Sequence, residues 1–362
     1  MDHVAELKEF ARLHARGQGL SAARTDRVLG RIHNDTPGDP ASWAAVWNVE
    51  GDASAAAGRL LDAVKYYALA RFPHPGDDDR RRAQDEGVAA FDRWRRSRPD
   101  GRKGAIERLE LRHPEGTLAA WAAGLDAPKP RPLLIVMGGI VSVKEQWAPL
   151  LPLLERLGFA AVVSELPGVG ENTLLYGPRS WRLMPFLMDR LAGRARVSDT
   201  SLLALSFSGH LALRAAVEDT RVRRVLTVGA PVRDFFADGG WWPRVPGITR
   251  ETLRRLTGMQ DEAALRGLLP RFALTDEQIR RIRVPVRYVA SARDEIIPAR
   301  EQELLGRAPG DVRFKVFDDV HGSPAHLGPM RLYLFSHLLR LRVSDRGRGP
   351  AYGAGVPVGA GH

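Results

Sequence analysis

Cysteine is absent from all 362 residues, which removes disulfides, thiolate nucleophiles and thiolate metal sites in one step. Covalent catalysis would need another nucleophile. Long apolar runs are missing as well, and Met1-Asp2-His3-Val4-Ala5-Glu6 lacks the basic stretch and apolar core of a signal peptide, so a cytoplasmic protein away from membranes is expected. No group of histidines and carboxylates has metal-ligand spacing, and no metal is expected. Glu165-Leu166-Pro167-Gly168-Val169-Gly170-Glu171 follows an apolar run but lacks the lysine and hydroxyl residue of a phosphate-binding loop and the spacing of a dinucleotide fingerprint. No cofactor is expected, and this segment reads as a loop bordering the functional site.

What is present starts with charge. The 54 lysines and arginines exceed the 43 acidic residues by enough to give +11 at pH 7. The arginines are scattered, as in Arg80-Arg81-Arg82, Arg93-Trp94-Arg95-Arg96 and Arg280-Arg281-Ile282-Arg283, on stretches with helical periodicity. They read as solvated helix faces, so the expected partner is a small molecule and not nucleic acid. A hydrophobic fraction of 44% with 27% charged residues is ordinary for a globular chain, and the length suffices for one large and one smaller domain.

Residues 1–103 read as an N-terminal helical cap. Val4, Leu7, Phe10, Ala11 and Leu13 follow one helical face until Thr36-Pro37-Gly38-Asp39-Pro40 interrupts the pattern. A helix over residues 55–72 ends at Pro73-His74-Pro75-Gly76, and Asp77-Asp78-Asp79 suits the positive end of the next. Tyr66 and Tyr67 read first as core tyrosines, with Tyr67 as a candidate for substrate contact. Near residues 98–104 the pattern changes to strands: a hairpin turning at His113-Pro114-Glu115-Gly116, then Leu133-Leu134-Ile135-Val136-Met137, an unbroken apolar run that predicts burial on both sheet faces. Further strands around residues 159–163, 202–205, 225–228, 286–290 and 314–317 alternate with helical stretches, which predicts a doubly wound, mostly parallel α/β sheet over residues 104–342. A helical insertion at about 232–283 carries Phe235, Phe236, Trp241 and Trp242. Its tryptophans are candidates for a substrate wall, although clustered aromatics also pack an insertion onto a body. Residues 343–362, rich in glycine and proline, read as a disordered tail.

The chemistry centres on Leu202-Leu203-Ala204-Leu205-Ser206-Phe207-Ser208-Gly209-His210, read as strand, sharp turn and helix with Ser206 at the turn. A nucleophile elbow has this layout, though the glycines usually placed two residues either side of the serine are here Ala204 and Ser208. A serine needs a histidine to take its proton and a carboxylate to orient that histidine. Asp294 and His321 follow Ser206, each just past a strand, in the chain order of an α/β-hydrolase. Glu295 and Asp319 compete with Asp294 for the orienting role, and His210 and His326 read as packing or capping residues. Backbone N–H groups of Phe207 and of Ile140, the latter following Gly138-Gly139, are the expected oxyanion donors.

Tyr66-Tyr67-Ala68-Leu69-Ala70-Arg71-Phe72-Pro73, Pro114-Glu115-Gly116-Thr117-Leu118, Gly138-Gly139-Ile140-Val141-Ser142-Val143-Lys144-Glu145, Leu166-Pro167-Gly168-Val169-Gly170-Glu171 and Ser206-Phe207-Ser208-Gly209 resemble the segments of α/β-hydrolases with an N-terminal helical domain. That group includes the fermentation-respiration-switch-like esterases, the pseudooxynicotine carbon–carbon hydrolases and the fungal pigment enzymes that shorten a polyketide chain. The resemblance implies a helical domain closing over the sheet, a Ser206-Asp294-His321 triad and, in many members, a homodimer. Val141 stands where the ketone-cleaving members carry an acidic residue, a departure that argues against carbon–carbon cleavage. The expected reaction is cleavage of an ester, thioester or activated ketone of a small apolar metabolite in secondary, polyketide-type metabolism. Two alternatives are elimination of acetate from an acetylated tetronate-type intermediate, for which the altered elbow is the motive, and an inactive hydrolase fold serving as a binding module.

Overall fold

A computed structural model describes residues 3–98 and 105–347, with side chains of the last helix described through residue 340. The chain opens with α1 (His3–Gly17), α2 (Ala22–Leu29), α3 (Trp43–Ala56), α4 (Leu60–Ala70) and α5 (Asp78–Arg96). Side chains cap several of them: Ser21, Ser42 and Asp77 each accept from a backbone N–H of the first turn, so the aspartate run read from the sequence supplies the N-cap of α5. The boundary expected near residues 98–104 falls almost wholly on residues 99–104, outside the described residues.

The hairpin of β1 (Glu107–His113) and β2 (Gly116–Ala123) leads into β3 (Pro132–Met137), α6 (Leu151–Arg156), β4 (Ala160–Ser164), α7 (Leu183–Leu191), β5 (Arg196–Leu205), α8 (Phe207–Glu218) and β6 (Val222–Val228). The insertion contributes α9 (Asp234–Ala237), α10 (Gly247–Leu256), α11 (Glu262–Leu268) and α12 (Asp276–Arg280). The chain then closes with β7 (Val286–Ser291), α13 (Arg300–Leu305), β8 (Val312–Phe317) and α14 (Leu327–Gly347). Of the tail expected over residues 343–362, residues 343–347 are helical as the end of α14, and residues 348–362 lie outside the described residues.

The eight strands form one sheet in the order β1-β2-β4-β3-β5-β6-β7-β8, antiparallel at β1-β2 and β2-β4 and parallel from there on. This is the mostly parallel, doubly wound α/β sheet expected from the alternating pattern. Alternate residues of β3 serve two cores: Leu133, Ile135 and Met137 pack with α7, α8 and the insertion, whereas Leu134 and Val136 pack with α6, α14 and the N-terminal helices. The N-terminal layer thus shares a core with one face of the sheet, through Trp43, Trp47, Tyr66 and Phe91. Register brings the ends of β3 (Met137 opposite Ala204), β5 (Leu205 opposite Val228), β6 (Val228 opposite Val289) and β7 (Ser291 opposite Phe317) to one edge. Ligands of open parallel sheets bind at this carboxyl edge. Among the described residues no helix is long and apolar enough to cross a membrane.

Candidate active site

Ser206 sits between β5 and α8 with φ 55° and ψ −128°, a strained conformation that turns its side chain out of the sheet edge. Its amide donates to the Val228 carbonyl at 2.7 Å, which pins the turn to β6. Ser206 Oγ lies 2.9 Å from His321 Nε2, and His321 Nδ1 lies 3.0 and 2.9 Å from the two oxygens of Asp294. Asp294 is itself held by the amides of Ile296 and Ile297, at 3.0 and 2.8 Å. Burial disfavours the His321 imidazolium, but the charge and hydrogen bond of Asp294, with the charge of Glu295, outweigh it and raise the pKa above 6.5.

The competing acids have other duties. Glu295 accepts from the His321 backbone amide at 2.9 Å, and burial raises its pKa. Asp319 accepts from Val320, Ala325 and His326 Nδ1 and so braces the turn that carries His321. His326 Nδ1 lies 2.9 Å from Asp319 and its ring stacks on Phe317, and His210 is buried with Nδ1 3.2 Å from the Pro231 carbonyl.

The expected oxyanion donors flank the serine. Gly139 approaches so closely that a Cβ there would stand 3.0 Å from Ser206 Cβ, so any larger residue in the turn after β3 would press on the serine. The amides of Ile140 and Phe207 have no hydrogen-bond partner among the described residues, and both residues line the cavity that holds Ser206. Ser208 does not enter this arrangement. It is fully buried, and its Oγ faces the carbonyls of Met137 and Leu205 at 2.9 and 2.8 Å, tying β3 to β5 behind the serine. Close helix–strand approach falls to Gly209 instead, where a Cβ would lie 2.0 Å from Thr227 Oγ1.

The cavity measures about 430 Å³ and is walled by α1, α4, α14 and the turn after β3, with Ile248 and Thr249 of α10. Three side chains proposed from the sequence for substrate contact lie elsewhere. Tyr67 faces the interior of the helical layer, where its hydroxyl donates to Asp52 at 2.7 Å. Trp241 Nε1 donates to the Ile296 carbonyl and Trp242 Nε1 to Glu262, both at 2.7 Å, so Trp241 fastens the insertion to the body and Trp242 ties α11 within the insertion. Neither tryptophan lines the cavity. The loop from Glu165 to Glu171 also stands behind the site. Buried Glu165 accepts from the Lys144 amide and from Glu171 N, and the Lys144 ammonium lies 2.9, 3.3 and 2.6 Å from Glu145, Glu165 and Glu171. Burial raises the Glu165 pKa to about 7 despite Lys144 beside it, while the three carboxylates keep Lys144 charged. From the helical layer, Arg71 donates to the Val141 carbonyl at 2.9 Å and so braces the same turn after β3. His14, Gln18 and Trp147 line the cavity and were not anticipated, since a single polar residue on an amphipathic stretch carries no local signature.

Comparison with known proteins gives a consistent result. The family described as Esterase FrsA-like matches residues 41–318. Esterase FrsA of Vibrio cholerae serotype O1 is 21% identical over 334 residues, covering 82% of this chain and 79% of that protein; Esterase FrsA of Vibrio vulnificus is 22% identical over 344 residues, covering 84% and 82%. Among solved structures, AbyA5 wild type is 48% identical with a TM-score of 0.89, covering 94% of this chain and 95% of that one. The 2,6-dihydroxy-pseudo-oxynicotine hydrolase shares the fold, with a TM-score of 0.73 at 19% identity over 94% and 98% of the two chains.

Proposed function

The chain belongs to the FrsA-like esterase family, and from that membership we propose that it is a serine hydrolase cleaving an ester or thioester of a small, largely apolar metabolite. The observation that supports this most is the continuous contact from Ser206 Oγ through His321 to Asp294 at the base of the cavity. In this reading His321 Nε2 takes the Ser206 proton as Oγ attacks the acyl carbon, and Asp294 stabilises the imidazolium. The Ile140 and Phe207 amides hold the oxyanion, His321 returns the proton to the departing oxygen or sulfur, and water releases the acid by the same steps. Release of p-nitrophenolate from short acyl esters tests it: the wild type turns over, and Ser206→Ala loses at least about a thousandfold.

A second reading rests on the lining of the cavity, whose walls are mostly apolar side chains such as Phe10, Leu13, Leu61, Val136 and Leu334 and give little hold to a hydrolytic water. With His321 as base toward a C–H next to a carbonyl, an acetoxy group on the neighbouring carbon would leave as acetate and a double bond would form. Turnover of an acetylated tetronate in oxygen-18 water separates the two. Solvent oxygen in the acid without alkene supports hydrolysis, and alkene with unlabelled acetate supports elimination.

A further inference from the structure

The cavity wall carries a polar pair whose side chains have no hydrogen-bond partner among the described residues. His14 and Gln18 stand one turn apart at the end of α1, where the Gln18 amide donates to the His14 carbonyl at 3.0 Å, so their side chains leave the same helical face. Both line the cavity that holds Ser206 and His321. The His14 ring packs on Phe72 with centroids 4.9 Å apart, yet neither of its nitrogens has a hydrogen-bond partner among the described residues. Gln18 Oε1 is buried and has none. Buried polar groups are ordinarily satisfied, and Gln18 Oε1, with His14 beside it on the cavity wall, leaves hydrogen-bonding capacity for water or a bound group. The nearby cations are already engaged: Lys65 pairs with Asp62 at 3.0 Å, and Arg331 donates to the Gly17 carbonyl at 3.2 Å.

We propose that His14 and Gln18 form a recognition point for a neutral oxygen, a ketone, hydroxyl or enol, on the part of the substrate remote from the bond that Ser206 attacks. This rests on Ser206 marking the reacting end. Burial, and then the nearby His321, push the His14 pKa down to about 4, so its ring is neutral at pH 7 and offers one N–H donor and one acceptor. Such a pair suits an uncharged oxygen and gives a carboxylate no countercharge. A site built to hydrogen-bond such a group discriminates strongly against the analogue that lacks it, because its own polar atoms are then left unpaired.

Full-length Ser206→Ala protein, in which turnover plays no part, provides the test through its affinities for p-nitrophenyl octanoate and the 4-, 5-, 6- and 7-oxo-octanoate esters. At least one oxo ester is expected to bind about tenfold more tightly than octanoate. Adding His14→Phe or Gln18→Leu is expected to bring that ratio within about twofold, while His14→Asn, which keeps an N–H donor, retains part of the preference. Equal affinities throughout the series in the Ser206→Ala parent, or a preference that survives both substitutions, overturn the proposal. Failure of the serine reading shows separately, as absence of p-nitrophenolate release by the wild type.

Discussion

Two side chains at the elbow divide its work. Ser206 takes the strained turn and faces His321, while Ser208, two residues on, faces inward to the Met137 and Leu205 carbonyls. Ser208→Ala is therefore expected to lower stability by about 1–3 kcal/mol through the lost buried hydrogen bond while leaving the serine reactive; urea unfolding and ester turnover measure the two separately. Asp294 controls the protonation of its partner. In the proposed mechanism His321 acts neutral, and its pKa is raised, so kcat/KM is expected to fall as pH drops through a value above 6.5. In Asp294→Asn the charge that favoured the imidazolium is gone and burial dominates, so the acid limb should move to lower pH while kcat falls on the order of 10³–10⁴-fold. A limb that stays in place would contradict the assignment of Asp294.

At the scale of elements, the turn after β3 is gripped from two sides. Lys144 and Glu165 fix its far end, and Arg71 at the end of α4 holds the Val141 carbonyl beside Ile140. Arg71 touches neither Ser206 nor His321, and its effect would run through the position of the Ile140 amide. Arg71→Met is expected to lower kcat about tenfold with little change in KM, because oxyanion support is felt in the transition state and not in ground-state binding. A rise in KM at constant kcat would mean that Arg71 shapes the cavity instead. Tyr67 belongs to the same layer but faces away, so Tyr67→Phe is expected to leave KM unchanged and to lower stability by about 1–2 kcal/mol through the lost bond to Asp52.

At the scale of the molecule, the cavity exists because the N-terminal helices share a core with one face of the sheet and meet α14 over its carboxyl edge. Leu334 of α14 is a buried part of that wall. Leu334→Trp is expected to reduce kcat/KM for octanoyl esters at least about tenfold while changing acetyl esters by less than about threefold, since only the longer chain reaches it. The sheet and the meeting of Ser206, Asp294 and His321 were legible because strand apolarity is local and because each of the three follows a strand whose end reaches the same edge. The walls were not. Whether Tyr67 or His14 faces the cavity depends on how α4 and α1 are rotated against the sheet, and whether Trp241 lines a pocket or fastens a loop depends on a carbonyl 55 residues away. Periodicity identifies an apolar face but not what that face meets, and Ser208 shows the same gap at a single side chain, whose direction no local pattern encodes.

The claim on which the rest depends is that Ser206 is the nucleophile, and mass spectrometry after fluorophosphonate treatment tests it directly. One adduct located on Ser206, absent from Ser206→Ala and retained in Ser208→Ala, is the predicted result; an unmodified Ser206, or an adduct that persists in Ser206→Ala, would contradict it.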